Sequence, residues 1–339
     1  MKKKFILKKE FKIFEKQFLF FLKSKILFLN KIKNYFVLKK GKYVRPLLIF
    51  LITKMLGTIS KKTYKLASII ELIHTASIIH DDVIDNSSFR RGFLTINSLW
   101  NNKIAVIFGD YIFSKSLNLA LNYNHYNHYN HYNHYNHYNH SNHSNHSNHS
   151  NNLFSNLILK MSEGELYQID FIKNQKFSEK NYKKIIFNKT AFLISTCCEQ
   201  SGKLLKKKHT LFFLKKIGIL IGLSFQIKDD LLDYNNFNQQ NFFLKLNETK
   251  ITLPFIYSFN KASFKEKKWI FNLNLSNKKQ NFFYKKLINF ICFLGGIEFS
   301  IYKMKLFTNK ALIQLNNFPN NSANKSFKTL IFFFINRKF

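Results

Sequence analysis

His80-Asp81-Asp82-Val83-Ile84-Asp85 is met again, with other apolar residues between the acids, as Lys228-Asp229-Asp230-Leu231-Leu232-Asp233. Both stretches contain Asp-Asp-x-x-Asp. The chain has eight aspartates, and six of them stand in these two pentapeptides, leaving only Asp110 and Asp170 elsewhere. At that frequency one such pattern arises by chance in about 4 of 1,000 chains of this length, and two in about 1 of 100,000, so the repetition is a signal. In a helix, residues four apart project from one face, which sets Asp81 beside Asp85 and Asp229 beside Asp233. Like charges so placed repel. A hydrated hard cation relieves the repulsion, and Mg²⁺ takes one or two carboxylates and fills its shell with water and phosphate oxygens. Two such clusters point to a diphosphate held through several Mg²⁺ ions. Solvated acidic turns or caps account for one motif far more readily than for two.

The flanking sequence is helical. Phe11, Phe14, Phe18, Leu22 and Leu29 recur near helical spacing, which predicts one or two amphipathic helices with lysine-rich outer faces in the first forty residues. Further helices are expected from Arg45 through Met55, from Lys62 into the Asp81 region, over Ile104 to Leu121, over Phe154 to Phe171, and on towards the C-terminus. Only ten Gly and three Pro occur in 339 residues, and no alternating pattern flanked by turn residues competes. Turn-rich all-β architectures are thereby excluded and an all-α class is left, read as one domain over residues 1–339 with ample apolar material (46%) for a core. One segment breaks the pattern. Asn122 to Asn151 repeats Asn-His-Tyr and then Asn-His-Ser and holds nine of the twelve histidines. So polar a tract cannot bury enough apolar area to order itself, and we read it as a low-complexity insertion in a loop between two helices; metal binding by its histidines is the sharper alternative.

The net charge of +36 comes from 54 Lys plus Arg against 18 Asp plus Glu, yet only four residues are Arg: Arg45, Arg90, Arg91 and Arg337. Lys, Asn, Phe and Ile, all with A/T-rich codons, are inflated together. The lysines run from one end of the chain to the other, where a nucleic-acid binder would gather its cations on one face, so no nucleic-acid partner is expected. Cys197, Cys198 and Cys292 offer neither zinc spacing nor a disulfide framework, which fits a reducing compartment. Glu10 and Glu15 interrupt the basic N-terminus, and the early apolar run from Phe18 to Leu22 is too short for a signal-peptide core. Pro46 to Ile52 and Ile331 to Ile335 fall below the roughly 18 residues of a membrane span. A cytoplasmic protein without a transmembrane span is the expectation.

The arginines fall near the acids. Gly41-Lys42-Tyr43-Val44-Arg45-Pro46 sets a Lys and an Arg three apart at a helix start, and Ser88-Phe89-Arg90-Arg91-Gly92 follows the first acidic cluster. Where the background favours lysine, a retained arginine marks a place that needs the planar fork binding phosphate bidentately. With these residues in view, the chain resembles the trans-isoprenyl diphosphate synthases, or polyprenyl synthetases, most closely their long-chain branch. The ordered match runs through Gly41-Lys42 with Arg45-Pro46, Glu71-Leu72-Ile73-His74-Thr75-Ala76, the first aspartate motif, Arg90-Arg91-Gly92 and Gly109-Asp110-Tyr111. It continues through Glu163-Gly164-Glu165 with Gln168, Lys189-Thr190, Phe225-Gln226 with the second aspartate motif, and Lys250 with Thr252-Leu253-Pro254.

The resemblance implies an all-α bundle of antiparallel helices around a deep cavity, usually as a homodimer, with the aspartate motifs on opposing helices at its mouth. By carry-over, Lys42, Arg45, His74 and Arg91 hold the diphosphate of isopentenyl diphosphate. Arg90, Lys189, Thr190, Gln226 and Lys250 contact the allylic diphosphate. The catalytic set is Asp81, Asp82, Asp85, Asp229, Asp230 and Asp233, with Asp81, Asp85 and Asp229 ligating Mg²⁺ most directly. Mg²⁺ and cations stabilise charge on the leaving diphosphate, the allylic C–O bond ionises, and the double bond of isopentenyl diphosphate attacks the cation. Loss of a proton then gives a trans product five carbons longer. Ala76 and Ser77, one turn upstream of Asp81, are small where short-chain members carry an aromatic block, so a product longer than C20 is expected, for a quinone side chain, with peripheral membrane contact for release. The alternatives are a C15 or C20 synthase, a non-catalytic partner subunit, a class I terpene cyclase and a basic RNA-binding protein. Two departures from the family pattern follow the second motif: Lys245 stands where an Asp is usual, and Thr249 replaces the usual Gly before Lys250.

Overall fold

A computed structural model gives the architecture and describes residues 7–38, 41, 43–90, 92–125, 145–175, 177–235, 251–271 and 280–337. Among these, every regular element except one short strand pair is helical. The chain divides into two compact units, Met1–Leu159 with Gln200–Lys208, and Lys160–Glu199 with His209–Phe339.

The first unit is built on α1 (Lys8–Phe21), α2 (Leu27–Leu38), α3 (Val44–Leu56) and α4 (Lys61–Ile84). In α1 the stripe Phe11, Phe14 and Phe18 is buried while Lys8, Lys9, Lys12 and Lys16 are exposed, as the spacing predicts. The rings of Phe11 and Phe14 meet Phe50 of α3 edge-on, with centroids 5.7 and 5.9 Å away. Leu48 to Ile52 is buried without a break, so α3 is enclosed within its unit. A capping box of Ser60 and Thr63 starts α4, satisfying N–H groups that the first turn leaves open. The unit continues through β1 (Phe89–Arg90), β2 (Phe93–Leu94), α5 (Ile96–Trp100) and α6 (Asn102–His125), and α4 packs along α6. The hairpin β1–β2 pairs Phe89 with Leu94 and Arg90 with Phe93, and Gly92 supplies a positive φ of 81° at its turn. Strands of two residues are too short to show a period, so the sequence pattern could not reveal them.

Helix α7 (Asn145–Lys173) leads into the second unit, which holds α8 (Glu179–Ile186), a π-helical turn (Phe187–Ala191), α9 (Phe192–Leu204, its last residues belonging to the first unit), and α10 (Leu211–Asn235). Helices α11 (Leu253–Lys261), α12 (Phe264–Phe271), α13 (Gln280–Phe293), α14 (Gly296–Leu315) and α15 (Ser322–Asn336) follow. The expected helices over 45–55, 62–81, 104–121 and 154–171 are all present. The repeat tract departs from a plain loop at its ends: residues 122–125 extend α6 and residues 145–151 begin α7, while 126–144 lie outside the described residues. Adding residues to a formed helix fixes one residue per bond gained, so polar sequence is carried along at little cost.

At the centre of the second unit α10 packs against the π turn and α14. Gly218 and Gly222, one turn apart on α10, permit this closeness: a Cβ there would lie 2.5 Å from Ser195 Cα and 2.4 Å from Ala191 Cα. Asn102–Tyr123 (mean hydropathy 1.3) and Lys208–Tyr234 (1.6) are long and apolar enough, by length and composition, to cross a membrane. Reading by unbroken apolar runs passes over both, because Asp110, Asp229 and Asp230 interrupt them. Within α10, however, the buried Ser224 meets protein. The Ser224 hydroxyl donates to the Met304 carbonyl at 3.2 Å and lies 2.7 Å from Thr308 Oγ1, both on α14.

Gly222→Ala reports on this packing. In an open helix the change stabilises by about 1 kcal/mol. Here the added methyl meets backbone, and thermal unfolding is expected to show a net loss of roughly 1–3 kcal/mol; a raised Tm would refute the close approach.

Candidate functional site

In the first unit the site is a stripe along α4. His74, Ser77, Asp81 and Asp85 follow at intervals of three or four residues and are all partly open, whereas Thr75, Ala76, Ile79 and Asp82 turn inward and are buried. Asp85 lies just past the helix end, but its N–H still donates to the Asp81 carbonyl at 2.8 Å, so the two keep their helical relation. Asp82, one residue and about 100° round from Asp81, cannot share that face. The residue is 6% exposed, and its carboxylate accepts from Arg90 Nε at 2.7 Å, tying the hairpin to the motif. On the other side, His80 Nε2 lies 3.2 Å from the Val106 carbonyl oxygen and 3.4 Å from the Asp110 carboxylate of α6. Gly109 makes room for that ring: a Cβ at 109 would sit 2.3 Å from His80 Nε2. Arg45, in the first turn of α3, is half-buried, and so is Arg90.

The second unit repeats the scheme with different partners. Along α10, Gln226, Asp229 and Asp233 form the partly open stripe, and Asp230, 1% exposed, is the inward acid. Asp230 Oδ2 accepts from the Tyr182 hydroxyl at 2.7 Å and from the Leu253 N–H at 3.2 Å, while Oδ1 accepts from Gln226 Nε2 at 3.3 Å. One carboxylate thus ties α8, α10 and the first turn of α11 together, and its charge favours the N-terminal end of α11. The Thr190 hydroxyl donates to Gln226 Oε1 at 2.8 Å, extending the relay into the π turn. Lys189, also in that turn, lies 2.6 Å from the Glu165 carboxylate and donates to Gln168 Oε1 at 3.1 Å, joining it to α7. A π turn carries one extra residue per turn and re-aims side chains, which is why such turns gather at functional sites. Burial, and then the Asp230 charge and hydrogen bond, push the Tyr182 pKa well above its ordinary value.

Asp229 pairs with Arg337, the residue that follows α15. Burial, with Arg337 nearby, lowers the Lys228 pKa, and Asp229 opposes the shift. Neither Tyr182 nor Arg337 was singled out as a site residue from the sequence. Tyr182 carries no signal there, whereas Arg337 did: it is the fourth arginine in a lysine background. Lys42, Arg91 and Lys250, with the departures Lys245 and Thr249, lie outside the described residues.

The donor chemistry fits a hard divalent cation. Among the described residues no three His, Cys, Asp or Glu side chains form a ready-made cage. The open acids instead come as pairs, Asp81 with Asp85 and Asp229 with Asp233, which suits a cation that completes its shell with water and phosphate oxygens.

Comparison with known proteins gives a family and a fold. The sequence profile of the family described as "Polyprenyl synthetase" matches residues 27–291. The chain is 29% identical over 247 residues to the octaprenyl diphosphate synthase of Escherichia coli, spanning 70% of this chain and 68% of that protein. It is 27% identical over 307 residues to heptaprenyl diphosphate synthase component 2 of Bacillus subtilis, spanning 88% of this chain and 80% of the other. In three dimensions it is similar to a decaprenyl diphosphate synthase from Rhodobacter capsulatus, with a TM-score of 0.85, 24% identity, and 99% of this chain and 98% of that one covered. At that identity the likeness speaks for the fold alone.

Tyr182→Phe tests the buried anchor. Leaving Asp230 one donor short is expected to cost about 1–3 kcal/mol by chemical denaturation. Its pH dependence has a definite sign. The folded state keeps Tyr182 neutral, so above the ordinary tyrosine value of about 10 only the unfolded chain loses that proton, and stability falls as pH rises. The wild type should lose more stability above that pH than Tyr182→Phe; parallel curves would count against the buried neutral hydroxyl.

Proposed function

This chain belongs to the polyprenyl synthetase family, and on that premise we propose that it condenses isopentenyl diphosphate with an allylic diphosphate to build an all-trans polyprenyl diphosphate longer than C20. The observation that carries the reading is the shared plan of the two motifs: in each, the first and last acids are open on one helix stripe and the middle acid is buried as an anchor. A purely structural motif would have no use for the open pair.

Asp81, Asp85 and Asp229 are the carboxylates we assign to Mg²⁺, with Asp233 beside Asp229. When bound, Mg²⁺ supplies positive charge against the leaving diphosphate. The chain's own residues do the rest. Lys189, Thr190, Gln226 and Arg90, with Lys250, hold the allylic diphosphate, and Lys42, Arg45, His74 and Arg91 hold that of isopentenyl diphosphate. Asp82 and Asp230 act from behind: Asp82 positions Arg90, and Asp230 positions Gln226 and the start of α11, next in sequence to Lys250 and Thr252. With both diphosphates fixed, the allylic C–O bond ionises and the second substrate's double bond attacks the cation. The released diphosphate takes up the proton lost as the new double bond forms, which completes the condensation.

The chain-length assignment draws its support from α4. A tail growing along the stripe away from Asp81 meets Ser77 first, whose hydroxyl is turned back to the His74 carbonyl at 2.9 Å, and Ala76 beside it is fully buried. Both side chains are small, which supports a long product. The same reading extends to the setting: a homodimer in the cytoplasm, touching a membrane to release a product that serves a quinone side chain.

Purified protein given Mg²⁺, labelled isopentenyl diphosphate and farnesyl or geranylgeranyl diphosphate is expected to form products beyond C20. Asp81→Ala and Asp229→Ala should each lower kcat by roughly 10²- to 10³-fold, the scale of removing one electrostatic stabiliser of a transition state. Ser77→Phe should shorten the product. No turnover with any primer would move the reading to a partner subunit, and a product stopping at C15 or C20 would overturn the chain-length assignment.

A further inference from the structure

Arg337 is held more closely than its place beyond the last helix requires. Its Nη2 donates to the Asp229 carboxylate and, at 3.2 Å, to the Phe225 carbonyl. The guanidinium carbon stands 4.1 Å from the centroid of the Phe225 ring, which in turn meets Phe334 of α15 edge-on at 5.3 Å. The side chain is 12% exposed, and its Nε has no hydrogen-bond partner among the described residues. Two features follow. The docking is specific, because the stack on Phe225 and two hydrogen bonds from Nη2 together fix the guanidinium. It is also incomplete, since Nε is buried without an acceptor, which leaves the docking less favourable than a fully bonded one.

Asp229 is the carboxylate assigned above to the metal at the second motif, and its Oδ1 cannot serve a guanidinium and a divalent cation fully at once. We propose that Arg337 is a positioning residue: it is the internal counter-ion of Asp229 before metal arrives, holds the carboxylate in place, and yields it to the incoming cation. The exchange couples α15 to metal occupancy, because freeing the guanidinium from Asp229 leaves the residue that follows α15 tied to α10 by the Phe225 contacts alone. A lysine would satisfy the charge without the planar stack on Phe225, which accounts for an arginine here in a chain with four arginines against fifty lysines.

This inference rests on the metal assignment under the proposed function, and the test separates the two. Mn²⁺ binding to the substrate-free full chain is followed by electron paramagnetic resonance in wild type, Arg337→Gln, Arg337→Lys and Asp229→Asn. Arg337→Gln is expected to bind Mn²⁺ at least severalfold more tightly at one site, with Arg337→Lys in between and Asp229→Asn losing that site. A merely structural Arg337 would lower thermal stability and leave the Mn²⁺ affinity unchanged. A second readout needs no variant. With arginine ¹⁵N-labelled, four side-chain Nε signals are available, the one missing from Arg337→Gln identifies Arg337, and Mg²⁺ titration of the wild type should shift that signal. Unchanged or weaker Mn²⁺ binding in Arg337→Gln, or arginine signals that ignore Mg²⁺ while Mn²⁺ binds, would overturn the proposal alone. Identical Mn²⁺ binding in wild type and Asp229→Asn would overturn the metal assignment and the proposal with it.

Discussion

Carboxylates one helical turn apart repel, and the local structure of both motifs is an answer to that repulsion. At the 5–6 Å separation of neighbouring helix positions, two unit charges cost roughly 0.7 kcal/mol in water and about 3 kcal/mol at an effective dielectric of 20. A fully solvated pair tolerates the first figure, and a half-buried pair moves towards the second. Asp81 and Asp85, like Asp229 and Asp233, are half-buried, and helix geometry forbids either pair from turning away. The chain meets the problem with arginine placed close by. Arg90 pairs with Asp82 in one motif and Arg337 with Asp229 in the other, and both draw on the scarcest cationic side chain in the sequence.

What could be read from the sequence divides along physical lines. Helix existence was legible because the apolar stripes are long: Phe11, Phe14 and Phe18 bury as their spacing demands, and α4 runs over 24 residues to its motif. The open acids were legible because an i, i+4 relation is a local fact. The inward role of Asp82 and Asp230 was not, since which flank of a helix faces the core depends on neighbours far away in sequence. Asp230 finds Tyr182 across 48 positions and Leu253 across 23, and Arg337 reaches Asp229 across 108. The hairpin carrying Arg90 escaped for a different reason, because two residues cannot display a period.

The glycines show how a local choice sets a distant geometry. Gly222 lets the backbone of Ala191 lie against α10, and Ala191 closes the π turn that carries Lys189 and Thr190. Only at that separation can the Thr190 hydroxyl reach Gln226 at 2.8 Å and Gln226 reach Asp230 at 3.3 Å. A side chain at 222 would push the turn away, and the hydrogen bonds would lengthen beyond the range in which they act. Gly109 serves the first motif in the same manner, by seating His80 next to Asp81. Matched positions that look unrelated in the sequence, a glycine on one helix and a threonine on another, are therefore parts of one device.

The choice between lysine and arginine carries this logic into the chemistry. A guanidinium can donate through Nε to one carboxylate and still present its two Nη groups to a phosphate, whereas an ammonium offers a single nitrogen. Arg90 uses Nε on Asp82, which fixes one donor of its guanidinium on the buried acid. Lys189 stands in a different position. Its one nitrogen is shared by Glu165 and Gln168, so any phosphate it binds must compete with, or add to, those partners. The +36 charge of the whole chain therefore says little about where an anion binds. Most lysines are solvated points of charge that salt screens within about 10 Å. The few cations held by carboxylates on fixed helices are the ones whose direction is set before a substrate arrives, and direction, more than charge, is what a diphosphate with several oxygens can read.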